Sequence, residues 1–314
     1  MNRKYRIMIH GKSITKKFGK FRALSEIDIE VKKGTIVGII GHNGAGKTTI
    51  LRILSCLIEP TSGELTIGGF EAKRDSRKIK LLTGYLPEES RLYETMTARS
   101  YLRFFAEIYG LSKYEIDSRT NKLLRALDLK TDGKKNGELS KGMKRKVAIA
   151  RSLIHNPALL IYDEPTSGLD PVTSRFIVDY LLKLKEEGRT IVISAHNLYQ
   201  IEAICDLIYI LHEGVIVIKG TISELRKWFG GVSYSIQFKI ENLDEKFQKF
   251  PIISKKGIFY ATLKDTKSLN ELTLLITQYN GSIETIESKN PTLEEIFFSL
   301  EQKRAINLSE MNSV

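Results

Sequence analysis

Gly41-His42-Asn43-Gly44-Ala45-Gly46-Lys47-Thr48 fits G-x-x-x-x-G-K-[ST], the pattern of a phosphate-binding loop. Glycines at that spacing let successive backbone N–H groups converge on phosphate oxygens, and a helix N-terminus behind them favours the anion. Lys47 can reach the β- and γ-phosphates of a nucleotide, and the Thr48 hydroxyl suits a magnesium ion. Farther along, Leu159-Leu160-Ile161-Tyr162 is an apolar run closed by two carboxylates, Asp163 and Glu164. In a phosphate-loop protein Asp163 is placed to hold Mg²⁺ through water, and Glu164 to polarise a water aimed at the γ-phosphate.

The elements that must position these groups are legible in the flanking pattern. Thr35 to Ile40 is an apolar run of strand length, and Lys47 to Leu57 carries Ile50, Leu51, Ile53, Leu54 and Leu57 at helical spacing. Strand, glycine turn and helix is the context a phosphate loop needs. Leu81 to Leu86 reads as a further strand, stopped by Pro87. From Thr95 to about Leu129 the period turns helical, indicating a subdomain of three or four helices. From Leu159 to Val217 strands and helices alternate, which points to a mostly parallel sheet covered by helices. Beyond Phe229-Gly230-Gly231 the character shifts. Residues 233–240 and 257–263 alternate as strands, Leu269 to Tyr279 reads as helix, and Thr292 with Glu295 has the spacing of a capping box.

The chain has 314 residues, enough for two domains, and no apolar stretch approaches the length of a membrane span. No secretory signal is visible, and the two cysteines, Cys56 and Cys205, read as reduced core residues, so the expected compartment is cytosolic. Forty-nine Lys and Arg against 37 Asp and Glu give a net charge of +12, compatible with nucleotide or an anionic membrane surface. No aromatic interleaving or nucleic-acid module accompanies that charge, so no nucleic-acid partner is expected. One basic cluster is odd. Leu139-Ser140-Lys141-Gly142-Met143 opens a helix, and Lys141, Lys144 and Arg145 crowd its first turn, where cations oppose the helix dipole at a cost of up to about 1 kcal/mol. An anion bound at that turn accounts for the arrangement, as does a solvated basic helix start.

Over about residues 8 to 225 the chain resembles the ATPase subunit of an ATP-binding-cassette (ABC) transporter. Leu139 to Met143 corresponds to the family signature, ordinarily Leu-Ser-Gly-Gly-Gln. Ser167-Gly168-Leu169-Asp170 matches the D-loop, Ser194-Ala195-His196 the switch histidine, and Gly84-Tyr85-Leu86-Pro87-Glu88 the Q-loop. Phe18 matches the aromatic that stacks on adenine. The resemblance implies an α/β fold: a phosphate-loop ATPase domain at 5–230, with a mostly parallel sheet core, an antiparallel N-terminal sheet and a helical subdomain at about 95–155. A small accessory α+β domain at 231–303 and a tail at 304–314 complete the chain.

It also implies ATP and Mg²⁺ as cofactors and a head-to-tail dimer, with an identical or homologous second ATPase. ATP is held by Phe18, Gly41, His42, Asn43, Gly44, Ala45, Gly46, Lys47, Thr48 and Thr49 of one subunit, and by Ser140, Lys141 and Gly142 of the other. Glu164, His196 and Lys47 are the expected catalytic residues, Thr48, Asp163 and Glu88 the magnesium residues, and Asp170 the D-loop residue. Three features depart from the general pattern: Glu88 where the family usually has Gln, Lys141 and Met143 in the signature, and the C-terminal domain closing with Asn290 to Phe297. All three resemble the branch that serves ABC-2-type drug and antibiotic exporters. The expected function is therefore to energise a separate membrane permease from the cytoplasmic face of the membrane. A soluble ABC ATPase acting on ribosomes or nucleic acid is the alternative.

Overall fold

The computed structural model describes residues 7–131, 133–195, 197–229, 231–255 and 257–300. Two long strands, β1 (Ile7–Phe18) and β2 (Phe21–Lys32), open the chain and pair antiparallel across a turn at Gly19 and Lys20. In β2 the buried positions Ile27, Ile29 and Val31 alternate with exposed ones, as one-sided burial requires. In β3 (Ile36–Ile40) every residue is buried, the pattern of a strand covered on both faces. There follow α1 (Lys47–Leu54), β4 (Ser62–Ile67), β5 (Phe70–Glu71), α2 (Ala72–Leu82) and β6 (Thr83–Leu86). Three helices come next: α3 (Ala98–Ile108), α4 (Lys113–Ala126) and α5 (Lys141–Leu153). The alternating stretch is β7 (Leu159–Asp163), α6 (Pro171–Glu186), β8 (Thr190–Ser194), α7 (Leu198–Ile204), β9 (Leu207–His212) and β10 (Val215–Gly220).

These strands make two sheets, one ordered β2-β1-β4-β5 and antiparallel, the other ordered β10-β9-β3-β8-β7-β6. In the second sheet β9, β3, β8, β7 and β6 run parallel. The main core fills the space between the sheets, with Ile50, Leu51, Ile53 and Leu54 of α1 packed among Ile14, Leu24, Ile39, Ile161 and Val192. Each such side chain removed from water contributes about 2 kcal/mol, so α1 is held by burial on nearly all sides rather than by helix propensity.

Several element boundaries differ from the sequence reading by one to three residues, two of them next to the site segments. The helix read as Lys47 to Leu57 stops at Leu54, because Cys56 is in the left-handed region at φ 52°. The strand read as Leu81 to Leu86 begins at Thr83. Its partner β7 begins at Leu159, opposite Thr83; Leu81 and Leu82 finish α2, with the Leu82 carbonyl accepting from the Ala158 amide at 3.0 Å where the ladder starts.

The chain divides into two compact units, the second starting at Gly220. The second contains α8 (Ile222–Trp228), β11 (Ser233–Lys239), β12 (Ile252–Lys255), β13 (Ile258–Leu263), α9 (Thr266–Gln278), β14 (Ser282–Lys289) and a helix, α10, at 293–300. Its sheet is ordered β12-β13-β11-β14. Thr292 and Glu295 cap α10 reciprocally: the Thr292 amide donates to Glu295 Oε2 at 3.0 Å and the Glu295 amide to Thr292 Oγ1 at 3.2 Å. Among the described residues no helix is long and apolar enough to cross a membrane.

Candidate functional site

The phosphate loop leaves the carboxyl end of β3 and enters α1. Gly41 is required by contact, since a Cβ there would lie 2.2 Å from the Leu211 carbonyl oxygen. Gly46, the N-cap of α1, is required by conformation, with φ 105°. Asn43 and Gly44 are exposed, Thr48 and Thr49 half-buried and Ala45 buried. His42 turns its ring edge-on to His212, at 4.9 Å between centroids. Its carbonyl, with that of Gly41, accepts from Lys47 Nζ at 3.1 and 2.8 Å. Lys47 is only 6 % exposed. Burial pushes its pKa below the ordinary lysine value, and the carboxylates of Glu164, Asp163 and Glu88 push back.

Those carboxylates arrive from β7 and the segment after β6. Parallel strands put Asp163 at the same end of the sheet as the phosphate loop, with β8 between β7 and β3. Ser194, the last residue of β8, joins the two acidic residues. Its hydroxyl donates to Asp163 Oδ1 at 2.5 Å and accepts from the Glu164 amide at 3.0 Å. Asp163 Oδ2 is buried and has no hydrogen-bond partner among the described residues, in a side chain only 1 % exposed. A buried carboxylate oxygen without a donor is costly unless a cation or ordered water meets it, so the site suits Mg²⁺. Glu164 departs from the strand at φ 47°, a conformation rare for a residue with a Cβ.

The segment 139–143 and the D-loop lie together in this chain. Ser140 caps α5, its Oγ accepting from the Met143 amide at 3.2 Å, which leaves its proton free to donate outward. Lys141 Nζ lies where a Cβ on Gly168 would be, 2.1 Å from that position. Gly142 faces Thr173 of α6, whose Cγ2 would be 3.0 Å from a Cβ. Asp170 caps α6, accepting from the Thr173 amide at 2.8 Å, and that bond lowers its pKa. Phe18 ends β1 at 51 % exposure, with Lys16 Nζ 5.1 Å from its ring centroid. Glu88 is exposed, and its carbonyl accepts from Arg145 at 2.9 Å. His196 lies outside the described residues.

Two further residues hold roles at the site that the sequence does not assign to them. Ser194 carries a signal, a hydroxyl closing the apolar run Ile191 to Ile193 opposite Asp163. Arg145 reads in the sequence only as one of the cations opening α5, and nothing there marks it as buried: it is 5 % exposed, and its acceptors are mainly backbone carbonyls. A cavity of about 830 Å³ lies elsewhere, lined by Cys56, Leu57, Lys73 and Lys80, and no candidate site residue borders it. The chemistry therefore belongs to the carboxyl ends of the parallel strands, where ligands bind in open α/β sheets.

Residues 24–167 match the family described as ABC transporter, and residues 220–300 match the C-terminal domain of DrrA1-3-like ATP-binding proteins. The chain is 38 % identical over 206 residues to the ABC transporter ATP-binding protein NatA of Bacillus subtilis, covering 65 % of this chain and 84 % of that protein. It is 31 % identical over 305 residues to the linearmycin resistance ATP-binding protein LnrL of the same organism, covering 93 % and 98 %. Among solved structures it is similar to the ATP-binding cassette MJ0796, a dimer in a post-hydrolysis state bound to ADP and Pi. That similarity has a TM-score of 0.63 at 29 % identity, over 68 % of this chain and 99 % of the other.

Proposed function

The chain belongs to the ABC transporter ATP-binding family and is an ATP hydrolase, and from that premise we propose that it energises a separate membrane permease of the ABC-2 exporter type. The observation that carries the catalytic part is the meeting of Lys47, Asp163 and Glu164 at one end of the parallel sheet, with Asp163 Oδ2 buried and unpartnered among the described residues. The exporter part is supported by similarity to a resistance ATP-binding protein over nearly the whole chain, and by the DrrA-like match of residues 220–300.

In this reading Phe18 stacks on adenine and the backbone N–H groups of Gly41 to Thr49 take the phosphates. Lys47 exchanges the carbonyls of Gly41 and His42 for phosphate oxygens and offsets charge on the transferring group. Thr48, Asp163 and Glu88 would hold Mg²⁺, which supplies positive charge beside the phosphates. Glu164 orients the attacking water or takes its proton, and Ser194 fixes the start of that residue through its amide. His196 is assigned to the γ-phosphate by its place after β8. Two copies act head to tail, a reading supported by the relative's being a dimer, with Ser140, Lys141 and Gly142 of one on the ATP of the other and Asp170 in the D-loop beside them. Lys141 and Lys144 at the start of α5 then face the partner's phosphates rather than water, while Arg145 is buried and turned inward onto its own chain. The working place is the cytoplasmic face of the membrane, beside the permease.

Glu164→Gln keeps the shape and removes the base. ATP affinity should change by less than about twofold while turnover falls by about a hundredfold or more. Unchanged turnover would sink the assignment. The same variant, held with ATP and purified from gently solubilised membranes, should bring down a polytopic membrane protein. Ribosomal or chromosomal material in its place would overturn the exporter reading.

A further inference from the structure

The ladder between β6 and β7 has its last rung at Leu86 and Tyr162. Immediately beyond it lie the two segments that carry chemistry, 87–90 and 163–165, and no sheet bond joins them. Arg145, from the first turns of α5, fills the gap. Its Nη1 donates to the carbonyls of Pro87 at 2.7 Å and Glu88 at 2.9 Å and to Ser90 Oγ at 2.7 Å. On the other side, Nη2 donates to the carbonyls of Asp163 at 3.0 Å and Glu164 at 2.5 Å, and Nε to that of Pro165 at 2.9 Å. One planar fork thus stands in for the missing rungs.

We propose that Arg145 is a positioning residue for hydrolysis, making turnover at Glu164 conditional on segment 87–90 being in place. The proposal rests on the reading of Glu164 as the hydrolytic carboxylate. Glu164 holds a left-handed backbone conformation, which persists only where its surroundings impose it. Its amide is fixed by Ser194, and its carbonyl accepts from both the Ser167 amide at 3.1 Å and Arg145, the guanidinium being the contact that links it to 87–90. If 87–90 moves, Nη1 loses its acceptors inside the protein, and a buried guanidinium with unmet donors is costly. The fork must follow or reorient, and the carbonyls of 163–165 lose the guanidinium, the Glu164 carbonyl keeping the Ser167 amide.

The residue type is specific to this task. Arginine offers five N–H groups in a rigid plane, whereas lysine offers a point charge with three donors on a flexible stem. Burial lowers the Arg145 pKa to about 10, which leaves it charged at neutral pH, and the nearby Asp163, Glu88 and Glu164 carboxylates oppose the shift. Anchoring of α5 does not depend on this fork. Val147, Ala148, Ile149 and Ala150 are buried, Arg151 Nη2 donates to the Tyr85 carbonyl at 3.1 Å, and Ser152 Oγ meets Tyr162 OH at 2.6 Å. Arg145 can therefore be altered while its helix stays docked.

The test compares Arg145→Lys, Ser90→Ala and Glu164→Gln in the full chain, measuring kcat, KM for ATP and the melting midpoint. Arg145→Lys should lower kcat about tenfold or more with KM within about twofold, since the phosphate loop is untouched. Ser90→Ala removes one acceptor of the fork from the side remote from Glu164, and should lower kcat a few-fold with KM and melting unchanged. Wild-type kcat in both, beside a silent Glu164→Gln, overturns this proposal and leaves the hydrolytic assignment standing. A rise in KM at constant kcat overturns it as well, because Arg145 would then serve nucleotide binding. Should Arg145→Lys fail to fold, Ser90→Ala decides alone. Continued turnover by Glu164→Gln removes both readings.

Discussion

The parallel sheet of the first unit and the antiparallel sheet of the second treat polar groups in opposite ways. The first buries Lys47, Arg145, Asp163, Glu164 and Ser194 at the ends of, or beside, strands whose other residues are mostly apolar. The second has a purely apolar core of Ile236, Phe238, Phe247, Phe250, Ala261, Leu263, Leu272 and Ile276. Among its described residues no charged or polar side chain is buried, and its strand β14 is exposed at every position. Burying a charge opposes folding unless partners are built for it. Where such groups are retained, with partners drawn from several elements, the fold is serving chemistry; where none is retained, it is serving shape.

That contrast can be broken first in the second unit. Phe238 is fully buried, with its ring 5.6 Å from Phe259 and 6.3 Å from Phe247. Phe238→Ala should cost the second unit about 3–5 kcal/mol. Calorimetry should show its transition shifted or lost while ATP affinity stays within about twofold. A parallel loss of ATP binding would show that the two units do not divide shape from chemistry. In the first unit, Gly41→Ala drives a methyl into the Leu211 carbonyl and displaces the acceptor of Lys47. Equilibrium unfolding should register roughly 2–3 kcal/mol, and ATP affinity should fall together with stability.

The smallest effect sharpens the contrast through pH. The His155 ring is stacked on Tyr109 at 3.9 Å, with Nε2 3.2 Å from the Thr83 carbonyl, and burial pushes its pKa down to about 4. It is neutral in the fold, while the unfolded chain takes up the proton near pH 6.5. Its contribution is complete above about pH 6.5 and is lost as pH falls toward about 4. Between about pH 7 and 5 the first unit should lose on the order of 1–2 kcal/mol through this group. His155→Gln should flatten the dependence of its melting midpoint on pH over that interval. A slope identical to wild type would remove His155 as the source.

The sequence is readable where side chains alone carry the information. The glycine and lysine spacing of the phosphate loop, the apolar run before Asp163 and the capping box at Thr292 and Glu295 all depend on residue type, and the structure places each in the expected element. What stays hidden depends on backbone or on solvent. Helix α2 escapes the pattern because Lys73, Arg74, Arg77, Lys78 and Lys80 leave Ile79 as its one buried residue. Strand β14 escapes it because no residue of it is buried, and hydrogen bonding to β11 alone makes it a strand. Arg145 is the same case at the site: carbonyl acceptors leave no trace in the side-chain pattern.

Gly142 carries a warning for anyone scanning this chain by mutagenesis. A methyl group there would meet Thr173 Cγ2 at 3.0 Å and Oγ1 at 3.1 Å, in the same subunit. An inactive Gly142→Ala protein would invite the conclusion that a contact between two subunits had been severed. The collision with α6 inside one subunit would produce the same loss, and only a companion change that trims Thr173 could tell the two apart.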